Sequence, residues 1–236
     1  MRGPQGSRSF GGFGPASFAF LRDLAANQTK AWFEANRAIY EREMKQPLGA
    51  LADALAAEFD RRQVPLTGDA KRSLFRINRD VRFSKDKSPY KTNGAVVWFR
   101  PGSSKDGAGV LYFHLADSGS FAAAVFYLPD KDVLESLREG IRVRPDSFLA
   151  MQDALGAKKL AIEHGESLSR MPRGFEDMAD SPVAPYLKLR SLIVRRPLSL
   201  AEVADAGLVK RLAGFAEDAM PLLQFGWRAV DEVSAG

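Results

Sequence analysis

Ala95-Val-Val-Trp-Phe-Arg100, Val110-Leu-Tyr-Phe-His-Leu-Ala116 and Phe121-Ala-Ala-Ala-Val-Phe-Tyr-Leu128 form three apolar runs, parted by Pro101-Gly-Ser-Ser-Lys-Asp-Gly107 and Asp117-Ser-Gly-Ser120. β-Branched and aromatic residues fill the runs, and Gly, Pro, Ser and Asp fill the gaps, which is the chemistry of strands and turns. Connections this short favour antiparallel pairing. The strand pattern also extends upstream. In Leu74–Phe83, the residues Phe75, Ile77, Arg79, Val81 and Phe83 alternate with Arg76, Asn78, Asp80 and Arg82. That two-residue period predicts a strand with one apolar face.

Helical spacing lies on both sides of these runs. Phe18, Leu21 and Leu24, then Trp32, Phe33, Asn36, Ile39 and Tyr40, predict two helices broken near Asn27, with the rings of Trp32, Phe33 and Tyr40 in the core. Pro47 suits a first helical turn, so a third helix is expected to open there, carry Leu48, Leu51, Leu55 and Phe59 on one face, and end by Pro65 and Gly68. Further helices are expected at Lys131–Ile141, at Asp146–Leu155 and around Leu222–Val230. Between the last two fall a strand at Leu192–Arg195 and a capping box at Ser199-Leu-Ala-Glu202. Helices, then hairpins, then helices give an α+β class with a mainly antiparallel central sheet, expected as a single domain over residues 13–233. Residues 1–12, rich in Gly, Ser and Arg, are expected to be disordered.

Composition removes several chemistries. The 236 residues contain no cysteine and two histidines, His114 and His164. Disulfides, thiolate zinc sites, iron–sulfur clusters and cysteine nucleophiles are therefore excluded, and a cytoplasmic setting is expected. The longest apolar run, Phe121–Leu128, falls well short of the roughly 20 residues of a membrane helix, so no membrane partner is expected. The phosphate loop G-x-x-x-x-G-K-S/T and the dinucleotide fingerprint G-x-G-x-x-G are both missing.

The positive charge is local. Lys71–Lys91 holds eight Lys and Arg against two Asp, a net +6, whereas the chain as a whole carries +5. A concentrated patch on a neutral body points to an anion site. On a strand, Arg76, Asn78, Asp80 and Arg82 share the polar face, presenting two guanidinium forks. The Ser84-Lys-Asp-Lys-Ser-Pro turn adds hydroxyls, amides and ammonium groups. The ligand-binding set read from the sequence is Arg76, Arg79, Arg82, Ser84, Lys85, Lys87, Tyr90 and Lys91, and the partner is a phosphorylated small molecule or other polyanion. Asp80, Asp86 and His114 are the acid/base candidates, with His114 also readable as a hydrogen-bonded sheet histidine. A metal is disfavoured beside so many bases, and no cofactor is indicated. Two other readings use the same residues. One is a nucleic-acid binder stacking a base on Tyr90 or Trp98. The other is an ion-pair network that only stabilises the fold, in which half-buried Arg79 pairs with Asp80, Asp86 or a helix glutamate. Arg142, Arg144, Lys188, Arg190, Arg195 and Arg196 would extend the patch if the fold brought them near.

The run from Arg76 to Lys91, R-x-x-R-D-x-R-F-S-K-D-K-x-P-Y-K, resembles the signature of a bacterial and fungal family catalogued as domain of unknown function 2461. Trp32-Phe33 with Asn36, Leu134-x-x-x-Arg138 with Ile141, and Pro172-Arg-Gly-Phe175 carry the likeness further, over roughly residues 10–230. The resemblance implies one α+β domain and supplies no activity and no catalytic residue.

Overall fold

The computed structural model describes residues 10–82 and 85–234. It is an α+β protein built on a four-stranded antiparallel sheet in the order β1-β2-β3-β4, with β1 Asn93–Phe99, β2 Val110–Ala116, β3 Phe121–Phe126 and β4 Leu192–Pro197. The chain divides into two compact units. The first comprises residues up to 105, 112–122 and 197–214, and the second comprises 106–111, 123–196 and 215–236. Of the twelve N-terminal residues expected to be disordered, 1–9 lie outside the described residues. Phe10 is placed and buried, edge-on to Phe13.

In the first unit, α1 (Pro15–Ala26) stops at Asn27, as the sequence indicates. It is followed by α2 (Lys30–Ala35), α3 (Arg37–Tyr40), a π-helical turn (Glu41–Lys45) and α4 (Gln46–Arg62). Leu48, Leu51, Leu55 and Phe59 form the buried stripe of α4. Alternate residues of β1 face it: Trp98 donates its indole N–H to the Ala52 carbonyl at 3.1 Å, and its ring meets Phe59 edge-on at 6.2 Å. Burying side chains of this size stabilises by about 1.5–3 kcal/mol each.

Pro47 does not open a helix. Helical backbone runs continuously from Arg37 through Arg62, and Pro47 lies inside it. A proline there has no N–H for the carbonyl four residues earlier. That carbonyl, on Glu43, instead accepts a hydrogen bond of 2.6 Å from the hydroxyl of Ser17, which is 1% exposed. The widened turn just before Pro47, where the Gln46 N–H reaches back to the Glu41 carbonyl, accommodates the ring.

The strand expected over Leu74–Phe83 is also corrected. The segment is extended, but it makes only isolated antiparallel bridges, Leu74 with Val96 and Asn78 with Tyr90. Ser73 and Phe75 pair with β1 through Val97 N–H to Ser73 O at 3.1 Å and Phe75 N–H to Ala95 O at 3.2 Å. The chain then turns to pair with its own continuation, Lys91 N–H to Ile77 O at 2.8 Å and Arg79 N–H to Pro89 O at 2.9 Å. Pro89 has no N–H to return, so the pairing cannot propagate as a ladder. Phe83 lies outside the described residues.

In the second unit, α5 (Lys131–Val143) is capped by Asp130, and α6 is Pro145–Ala157. Arg138, 9% exposed, donates to the carbonyls of Leu187 at 2.8 Å and Leu189 at 3.3 Å, at the end of the short helix α7 (Ala184–Leu187). Helix-terminal carbonyls carry partial negative charge and make this buried cation tolerable. The capping box at Ser199 and Glu202 forms as expected and opens α8 (Leu200–Ala204). The last helix, α9, is far longer than its amphipathic core suggested, spanning Leu208–Ser234 with Pro221 inside it. No helix among the described residues is long and apolar enough to cross a membrane.

Candidate functional site

The edge segment 73–79 lies along an open groove of about 470 Å³ in the first unit. One wall comes from α2, α3 and the π turn, and supplies Phe33, Arg37, Tyr40, Glu41 and Lys45. The other comes from residues 70–78, including Lys71, Phe75, Arg76 and Asn78. Two of the four lining cations are neutralised by glutamates three or four residues earlier in the chain. Arg37 forms a two-pronged pair with Glu34 at 2.7 and 2.9 Å, and Lys45 pairs with Glu41 at 2.9 Å. Lys71 and Arg76 form no salt bridge among the described residues, Arg76 acting on Asp80 only at longer range.

Arg76 belongs to a tighter cluster. The ammonium groups of Lys91 and Lys105 stand 5.4 and 5.8 Å from the centre of the Phe75 ring. Burial of Lys91 holds its pKa below the usual 10.5, and repulsion from Arg76, Lys105 and Arg79 lowers it further. Burial without a counter-charge disfavours the charged ammonium, and an incoming anion relieves that cost.

The expected anion-binding residues do not all join this cluster. Arg79, on the apolar side of its segment as anticipated, pairs with Asp86. Asp86 also accepts from the Ser88 amide at 2.9 Å, and Ser88 together with Arg79 holds the carboxyl down at about 2. Arg82 is 76% exposed and pairs with Asp80 at 2.7 Å, which keeps the Asp80 carboxyl below its usual value. These two carboxylates are therefore ion-pair partners of arginines on the same turn. Lys87 donates to the Val81 carbonyl at 2.9 Å, and Lys85 is exposed. Ser84 lies outside the described residues. Tyr90 is buried, stacked on Phe33 at 4.4 Å, and its backbone N–H donates to Gln28 Oε1 at 3.1 Å. Trp98 is fully buried. Neither ring is accessible for base stacking, and Tyr90 acts on the site only by fixing Phe33.

His114 accepts the sheet-histidine reading. It shares a hydrogen bond of 3.1 Å with the Tyr112 hydroxyl and stacks on Phe121 at 4.7 Å. The more distant arginines are engaged within the second unit: Arg142 with Glu139, Arg144 with Glu232, Arg190 with Glu166, Arg195 with Glu163, and Arg196 with Asp218. No cluster of metal-ligating side chains occurs among the described residues.

Sequence reasoning missed Lys105 and the helical wall. Lys105 is an isolated base in a turn-rich loop, and only the return of that loop over Phe75 brings it to the cluster. Lys71 adds to the charge excess of its segment and carries no further signal of its own. Tyr40, expected in the core, is half-buried and lines the groove.

Comparison with known proteins gives one match. The family model described as conserved hypothetical protein (DUF2461) covers residues 16–225. No curated protein and no solved structure matches the chain.

Proposed function

We propose that this chain, which belongs to the DUF2461 family of conserved hypothetical proteins, binds a phosphorylated or polyanionic ligand at the groove edge formed by Phe75, Arg76 and Lys91. The observation that carries this reading is the meeting of Lys91 and Lys105 at the Phe75 ring, with Arg76 near enough to repel Lys91 and with Lys91 half-buried and destabilised as a cation. Structural arginines in the same stretch each have an acidic partner, as Arg79 and Arg82 do. A stretch serving stability alone would be expected to pair its half-buried lysine as well. The binding group is narrower than the whole motif: Arg76, Lys91 and Lys105 hold the anion, Lys71 adds long-range attraction, and Arg79 and Arg82 are taken up by Asp86 and Asp80.

Calorimetric titration of the full chain with inorganic pyrophosphate tests this reading. Arg76→Gln and Lys91→Gln should each weaken binding roughly tenfold, the scale of one charge-assisted hydrogen bond. Arg82→Gln, whose partner is Asp80, should leave it within about twofold. Absence of pyrophosphate binding, or equal losses in all three variants, refutes the assignment.

A further inference from the structure

We draw no further inference here: the strongest candidate, the extended edge of residues 74–78 that runs along the groove, belongs to the site already described.

Discussion

The Lys91 ammonium stands 5.4 Å from the centre of the Phe75 ring, and no carboxylate pairs with it among the described residues. A cation over a ring is stabilised by about 0.5–1 kcal/mol at exposed sites, and more when desolvated. At Lys91 burial and the nearby positive charges still prevail, since the net displacement of its pKa is downward. The cluster is thus arranged at some cost to the empty chain.

That displacement fixes a pH dependence. Because the folded value lies below 10.5, Lys91 loses its proton in the folded chain before it would in the unfolded chain. Its penalty on stability is therefore full at neutral pH and is relieved as pH rises through the folded value. Anion affinity should move the opposite way, falling on the alkaline side before pH 10.5. Lys91→Arg, which stays charged throughout, should abolish the early part of that fall in pyrophosphate titrations.

Asp86 titrates in the other direction. With a folded value of about 2 against the usual 3.8, its contribution to stability is complete above the higher value and is lost as pH falls toward 2. Arg79→Gln should raise the Asp86 carboxyl toward 3.8 in an NMR titration. The pair is 33% and 53% exposed, so solvent screening should keep the change in unfolding free energy small.

Ser17→Ala removes the hydroxyl that satisfies the Glu43 carbonyl beside Pro47. A buried acceptor left without a partner costs about 1–3 kcal/mol. Urea unfolding should show that loss, and a change within about 0.5 kcal/mol would mean the carbonyl finds another donor.

Gly226 admits no side chain. A Cβ there would lie 2.2 Å from the Phe126 ring, while at Gly156 it would meet nothing within 4 Å. Gly226→Ala should therefore destabilise by about 1–3 kcal/mol through overpacking. Gly156→Ala should be neutral or slightly stabilising in the same denaturation assay.

Much of this architecture is visible in local pattern. The limits of β2 match its apolar run, and β3 ends at Phe126, two residues before Leu128, whose φ of +37° terminates the strand. Pattern reading failed where a residue type has two uses. Pro47 looks like a helix boundary, yet it lies within a helix because the Ser17 hydroxyl and the widened turn absorb the missing N–H. At the site, the excess of charge was legible because it is a property of one segment. Its division into paired Arg79 and Arg82 and unpaired Arg76 and Lys91 was not, since that depends on which way the turn brings Asp80 and Asp86. Lys105 gave no signal, because its neighbours at the site are distant in sequence.

The π turn at Glu41–Lys45 spans five residues where an α-turn spans four. Deleting one residue there together with Pro47→Ala, since the proline ring depends on the widened turn, would return the helix to ordinary geometry and leave the Leu48–Phe59 stripe in phase with β1. A deletion one turn later would rotate everything beyond it by about 100° and carry Leu55 and Phe59 off the sheet. The helix therefore has one place where its length can change by a single residue without reorienting the core, and that place is the wall of the groove. Homologous chains that differ in length at this point should differ in the shape of the groove and agree in the packing beneath it.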